Sequence, residues 1–530
     1  MPKIHLPRRA ALLGAAAIAG SSRLALGQGS APAVIAAESV RPKAEWGAST
    51  GDVTRDATGD RALVWSRADR TARMLVAWST DEGMRNATRL RGPWATEATD
   101  FTARLDLTGL PADAEIFYRL GFAGPEDGAP LSAPVQGRFR TAPGSRRDVR
   151  FLWSGDTAGQ GWGINEAWGG MRCYETMRKT GADFFIHCGD TIYADGPIQP
   201  EVTLADGTLW RNLVTPEVAK VAETLGEFRG RHRYNLMDRN VRAFHAEVPQ
   251  LWMWDDHEVT NNWSDSKALG AAYAEKRIGQ LQAVATRAFL DYAPIRPQGA
   301  DEAERVYRKV GYGPHLDVFA LDMRSYRGPN SPNRQDKAGP ETAFLGREQI
   351  HWLLRGLIES RATWKVIAAD MPLGLLVPDG KDAEGRPMFE AVANGDGPAL
   401  GRELEIAGLL SAIKAAGLRN IVWVTADVHY TAAHRYDPAR ARYRDFLPFW
   451  EFVSGPLHAG GFGPNAPDDT FGLEVVWQKA PDGRVNVSPA EGGQFFGEAA
   501  IDGRSGALTV MLKDMANAVL WQRTLEPERG

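Results

Sequence analysis

Cysteine is nearly absent from this chain: two thiols, Cys173 and Cys188, in 530 residues. Disulfides therefore do not build the fold, and no four-thiolate zinc site can form. Charge of one sign is also missing. Lys plus Arg is 62 against 66 for Asp plus Glu, a net of -4, so no strong field recruits nucleic acid or anionic lipid. After the first two dozen residues no apolar run reaches the length of a membrane span. Internal repeats and low-complexity tracts are absent too. What remains is an ordinary globular composition, 43% hydrophobic and 24% charged, which excludes a disordered or fibrous chain. The 17 Trp promise large buried side chains, some of them lining a pocket.

Residues 1–27 read as an address. Arg8 and Arg9 precede an alanine-rich apolar run through Ile18-Ala19, and Ala25-Leu26-Gly27 offers a small-residue cleavage site. This is the order of a signal peptide with the paired arginines of the twin-arginine route. An alanine-rich first helix is the competing explanation, but the run is too short to span a bilayer and starts directly after the charges. The expectation is a soluble protein, periplasmic or secreted, whose first partner is the twin-arginine export machinery. That route carries folded proteins, often with a cofactor inserted, a first hint of metal.

Residues 34–143 alternate in short segments broken by Gly, Pro and Asp. Leu63–Ser66, Met74–Trp78, Phe101–Leu105 and Ile116–Leu120 are the clearest strands, and their spacing predicts an antiparallel sandwich of fibronectin type III-like texture. No catalytic spacing of His and acid occurs there. From 149 to 530 apolar strands alternate with helical stretches: Val149–Trp153, a helix around Glu175–Lys179, then Phe184–Cys188 form a βαβ unit. Further strands are expected at Leu251–Trp254, Val318–Leu321, Val366–Ala369 and Ile421–Val424, with helices over Ala272–Leu290 and Arg347–Ile358. The fold class is α/β, preceded by a small all-β domain.

Four of these strands run into acids: Ser154-Gly155-Asp156, Gly189-Asp190-Thr191-Ile192-Tyr193, Asp255-Asp256-His257-Glu258 and Ala426-Asp427-Val428-His429-Tyr430. Ligands of open α/β sheets bind beyond the carboxyl ends of the strands. Any single Gly-Asp there is more often a turn or cap residue; four together, with two His and a Tyr, predict a metal site of hard oxygen and nitrogen donors, suited to iron, manganese, calcium or zinc.

These same stretches, with Arg233-Tyr234-Asn235-Leu236, Leu321-Asp322-Met323-Arg324-Ser325-Tyr326-Arg327 and Leu345-Gly346-Arg347-Glu348-Gln349, resemble PhoD-type alkaline phosphatases of the calcineurin-like metallophosphoesterase superfamily over nearly the whole mature chain. The resemblance implies a four-layer αββα catalytic domain, a ferric iron held partly by tyrosinate, and calcium beside it. It implies Asp190 bridging two metals, with Asp156, Tyr193 and His429 completing the iron site and Asp256 and Asp427 serving the second. In the best-known members a Cys follows the first strand; Asp156 stands near that place here, which makes manganese or zinc more acceptable. Phosphate esters would be cleaved by a metal-bound hydroxide, with His257 orienting the phosphoryl group or protonating the leaving alcohol. Arg229, Arg324 and Arg327 are candidate phosphate clamps. A phosphodiesterase or phospholipase D-like specificity at the same site is the alternative, and a non-catalytic metal-binding surface module a more distant one. Trp162 and Trp168 serve equally as an apolar substrate wall or as core. His187 reads as a core histidine, and His245 and His351 as helix residues facing solvent or neighbours. Pairing of Cys173 with Cys188 is left open.

Overall fold

A computed structural model describes residues 41–528, apart from 58, 127–128, 299–301, 303 and 396. The signal-like residues 1–27 lie outside the described residues, as do the first residues of the expected sandwich. Two large sheets dominate the architecture. The first has nine strands, in the order Val519–Leu525, Leu508–Asp514, Phe495–Ile501, Val149–Ser154, Phe184–His187, Gln250–Trp252, Ala44–Asp56, Gly59–Ala68 and Thr102–Leu110. The second has seven: Arg308–Gly311, Leu316–Ala320, Trp364–Ala368, Ile421–Thr425, Phe449–Val453, Thr431–Tyr436 and Leu473–Lys479. Its central strands pair in parallel, as do Val149–Ser154, Phe184–His187 and Gln250–Trp252 of the first.

Side-chain alternation explains why these strands are apolar on both faces. Phe151, Trp153 and Ile186 of the first sheet meet Val318, Val366 and Val424 of the second in one core. The intervening residues point the other way. Leu152 and Phe185 pack under helices Arg172–Arg178 and Arg239–Glu247 through Met177 and Phe244. Phe319, Ile367 and Trp423 pack under Arg347–Glu359 and Glu403–Ala415 through Leu353 and Leu410. Helix, sheet, sheet, helix is the expected four-layer stack. Cys188 belongs to the inter-sheet core and Cys173 to the helical layer, and both are free buried thiols.

One sequence expectation shifts. The helix expected from Ala272 begins at Ile278. Its lead-in amides are taken by acids instead: Glu223 accepts from the backbone N–H of Ala274 and Glu275, and the Glu275 carboxylate from those of Lys276 and Arg277. Of the two settings read for His245, solvent or neighbours, it takes the second: it is 3% exposed, with Nδ1 3.2 Å from Ser49 Oγ.

The N-terminal strands form a second finding. Thr88–Ala95, Ala72–Ser79, Glu115–Ala123 and Val135–Arg140 make a four-stranded antiparallel sheet. Ala44–Asp56, Gly59–Ala68 and Thr102–Leu110, which pack against that sheet, belong by hydrogen bonding to the nine-stranded sheet. The link is a parallel rung pairing Gly51 with Gln250. A Cβ on Gly51 would lie 2.0 Å from the carbonyl oxygen of Pro294, so only glycine lets the strand approach.

Candidate metal centre

The carboxyl ends of the strands Val149–Ser154, Phe184–His187, Gln250–Trp252 and Ile421–Thr425 converge. Beyond them Asp156, Asp190, Asp427 and His429 all adopt left-handed backbone, with φ of 61°, 53°, 66° and 54°. Such conformations are costly away from glycine and concentrate at functional sites. Here they turn each side chain back toward its neighbours. Gly189, at φ 111°, leads into the turn at Asp190, where a Cβ would strike Asp255 Cβ at 2.4 Å.

Three overlapping groups result, the ligand atoms of each lying within 4.8 Å of one another: Asp156, Asp190 and His429; Asp190, Asp256 and His257; Asp255, Asp256 and Asp427. Asp190 belongs to two of them, as does Asp256. Tyr193 Oη lies 2.7 Å from His429 Nε2, and Asp156 Oδ1 3.5 Å from the same nitrogen. His429 Nδ1 is 2.6 Å from the carbonyl oxygen of Gly460. A carbonyl only accepts, so Nδ1 carries the proton and Nε2 presents its lone pair to the cluster. Burial pushes this imidazole down to about 3, which keeps it neutral.

The donor set fits metal ions. Both oxygens of Asp156 are buried without a hydrogen-bond donor among the described residues, a costly arrangement that a cation would relieve. Burial holds the carboxyls of Asp156, Asp190 and Asp427 well above the usual carboxylate range, and neighbouring acids add to it. Bound cations invert that effect. A Cβ on Gly455 would sit 2.1 Å from Asp156 Oδ2, so the cradle admits nothing larger than glycine at that point.

Other acids organise the loops. Glu258 accepts from the backbone N–H of Asp190, Thr191 and Asp255 at 3.2, 2.6 and 2.8 Å and from Thr191 Oγ1 at 2.6 Å. One carboxylate therefore ties two ligand loops together. Asp195, two residues beyond Tyr193, takes His257 Nδ1 at 2.6 Å and the Asn261 N–H at 2.8 Å. The His257 ring lies on Tyr193 with centroids 4.3 Å apart. Asp370 follows the strand Trp364–Ala368 and places a fifth acid at the same end. Sequence reasoning passed over Glu258, Asp195 and Asp370, although the strand-then-Asp signal used for the other four also marks Asp370.

The three candidate phosphate clamps are engaged elsewhere, which corrects the expectation for them. Arg229 donates twice to Asp291 Oδ2, at 2.9 and 2.6 Å, and once to the carbonyl of Ala98. Arg327 donates to Asn330 and to the carbonyl of Glu390, with its guanidinium over the Phe344 ring. Arg324 is fully buried among Asp255, Asp370 and Glu390. Trp162 is core, 4% exposed and edge-on to Trp210, with Nε1 donating to Asn486. Half-buried Trp168 packs on Trp210 under Arg172. His187 is a core histidine, its Nε2 2.7 Å from Thr157 Oγ1.

Two facing sheets between helices, with acids and histidine gathered at the strand ends, define the metallophosphoesterase class of fold. Solved structures agree. A structure of PhoD superposes with a TM-score of 0.66 at 19% identity, covering 91% of this chain and 92% of that one. A purple acid phosphatase from yellow lupin (Lupinus luteus) seeds superposes with a TM-score of 0.57 at 13% identity, covering 92% of this chain and 74% of that one. Residues 151–512 match the PhoD-like phosphatase family and residues 29–143 its N-terminal domain. The chain belongs to the PhoD-like phosphatase family. Alkaline phosphatase D of Bacillus subtilis (strain 168) is 28% identical over 407 residues, which is 74% of this chain and 65% of that protein's own length.

Proposed function

We propose that the chain is a metal-dependent phosphoric ester hydrolase of alkaline phosphatase D type, releasing orthophosphate from small phosphate esters. The observation behind this is the convergence of Asp156, Asp190, Asp256 and Tyr193 from the nine-stranded sheet with Asp427 and His429 from the seven-stranded one. Asp190 would serve both cations; Asp156, Tyr193 and His429 would hold the first, and Asp256 with Asp427 the second. Cations held there would supply activated water and neutralise charge on the phosphoryl oxygens. Ferric iron suits the tyrosine-bearing position and calcium the carboxylate-rich one, with manganese or zinc as substitutes. The Asp195 contact occupies Nδ1 of His257 and leaves Nε2 to orient the phosphoryl group or hand a proton to the leaving alcohol. Residues 1–27 direct export by the twin-arginine route to the periplasm or beyond. Residues 34–143 form the N-terminal sandwich and 149–530 the catalytic domain. Among the described residues no helix is long and apolar enough to cross a membrane.

One observation favours diesters as additional substrates. With Arg229, Arg324 and Arg327 all engaged elsewhere, the site offers less charge to the second negative charge of a monoester than a clamped site would. The test is turnover of p-nitrophenyl phosphate and bis-p-nitrophenyl phosphate by the iron- and calcium-loaded protein. Activity on the monoester, alone or with the diester, is the expected result; strong preference for the diester moves the assignment to a phosphodiesterase or phospholipase D-like enzyme. Silence on both from a folded, loaded sample returns it to a metal-binding surface module. A visible tyrosinate-to-iron absorption band that Tyr193→Phe abolishes would identify the metal at the first position.

A further inference from the structure

Seven of the acids at the strand ends divide into two sets. Asp255, Asp370 and Glu390 all meet the guanidinium of Arg324: Nε lies 2.6 Å from Asp255 Oδ1 and 3.0 Å from Asp370 Oδ2, and Nη1 2.7 Å from Glu390 Oε2, which Arg327 also approaches at 4.0 Å. The remaining four are the proposed ligand aspartates, and Arg324 approaches only one of them, Asp427, at 4.0 Å. Arg324 is itself fully shielded from solvent, and Asp255 and Asp370 each keep one buried oxygen without a donor among the described residues. Asp255 and Asp427 also belong, with Asp256, to a group whose ligand atoms lie within 4.8 Å of one another.

We infer that Arg324 is a built-in counterion of the metal centre, a positioning residue that fixes how many mobile cations the acids accept. A guanidinium is charged at every pH the protein meets and presents several donors in a rigid fork, so it neutralises acids without being lost to a chelator. It takes Asp255 out of the ligand pool and limits the charge left at Asp427 and Asp256. Without it, Asp255, Asp370 and Glu390 make an uncompensated oxygen site, beside that of Asp256 and Asp427, of the kind that takes calcium.

The test uses the full chain, stripped with EDTA and reloaded with calcium, with metal content counted by elemental analysis and melting followed in both states. Arg324→Met is expected to hold one more calcium per chain than wild type. Its melting temperature falls in EDTA and recovers with calcium, a calcium-dependent rise exceeding that of wild type by roughly 5 °C or more. Arg324→Lys keeps the charge and is expected to keep wild-type content. Wild-type content and melting in Arg324→Met would overturn the inference. Should Arg324→Met fail to fold even with calcium, Asp255→Asn/Arg324→Met decides: recovery of folding supports charge compensation, and no recovery shows that the side chain acts by shape instead. The inference on stoichiometry rests on the metal reading of the four aspartates. If wild type binds no metal, that reading falls, while the paired variant still tests the counterion role by melting alone.

Discussion

The junction beneath the N-terminal strands and the ligand edge of the same sheet are both rich in buried charge, yet they handle it in opposite ways. At the junction Asp52 and Arg308 form an ion pair in which each side chain is 1% exposed, and Asp106 is held by Arg296 and Arg61. Arg308 also donates to the carbonyls of Trp252 and Val306. At the ligand edge acids outnumber arginines: among the described residues the basic side chain nearest Asp156 is that of His429, which burial keeps neutral, and the charge of His257 only partly offsets the burial and neighbouring acids that raise this carboxyl. Matched charge welds strands together; surplus charge of one sign is gathered at left-handed turns. The contrast separates a structural polar cluster from a functional one on this molecule without appeal to relatives.

The comparison breaks first at its acidic end. Asp190→Asn removes the shared carboxylate and is expected to lower turnover of p-nitrophenyl phosphate by about 10³-fold or more, with circular dichroism unchanged and bound metal reduced. Full turnover in that variant would sink the bridging role.

Between the two regions lie His187, His232 and His245, each pushed by burial down to about 3. Unfolded, they take up protons near pH 6.5, so the unfolded state binds more protons as pH falls below that value. Their contribution is present above pH 6.5 and is lost toward pH 3, at about 4 kcal/mol per pH unit for three protons. Urea unfolding between pH 7.5 and 5 measures the slope. His232→Phe, which keeps a ring stacked on Tyr292, is expected to reduce it by about a third; an unchanged slope would show that His232 titrates normally.

Much of this contrast was legible in the sequence, but unevenly. A strand followed at once by an aspartate turn is a local signal, and it located Asp156, Asp190, Asp256 and Asp427 because apolar runs and turn chemistry are both short-range. Arginine partners are not local. Arg324 meets Glu390 and Arg229 meets Asp291 across 66 and 62 residues, so nothing in the stretch around either one shows that its guanidinium is already taken. The sandwich strands were readable from alternation, whereas the rung from Gly51 to Gln250 depends on tertiary approach. His245 was left between solvent and neighbours for the same reason: a helix pattern shows periodicity, but the serine it meets lies on a strand 196 residues away.

At the junction, Asp52→Asn leaves Arg308 buried and uncompensated and is expected to cost about 3–5 kcal/mol of stability, with turnover per folded molecule unchanged. Equal losses of activity and stability would mean that junction and ligand edge are coupled. The smallest effect sits away from both regions. Burial raises the Glu403 carboxyl to about 8, with Asp468 adding to it. Its folded form keeps a proton that the unfolded form has released, so stability is fully present below about pH 4.5 and declines as pH rises toward 8. Glu403→Gln is expected to flatten the melting curve against pH between 5 and 7 by about 2 kcal/mol, the opposite sign to the histidines.

The rung between Gly51 and Gln250 also decides what the C-terminal part of the chain is without its neighbour. Gln250–Trp252 is an inner strand only because Ala44–Asp56 lies beside it. A chain beginning at residue 149 would turn that strand into an open border, with unpaired amides and carbonyls flanked by Leu251 and Trp252. Borders of that kind recruit other chains. The N-terminal strands thus act as a selvedge that keeps the sheet from fraying into its neighbours, a service to solubility at any concentration of substrate.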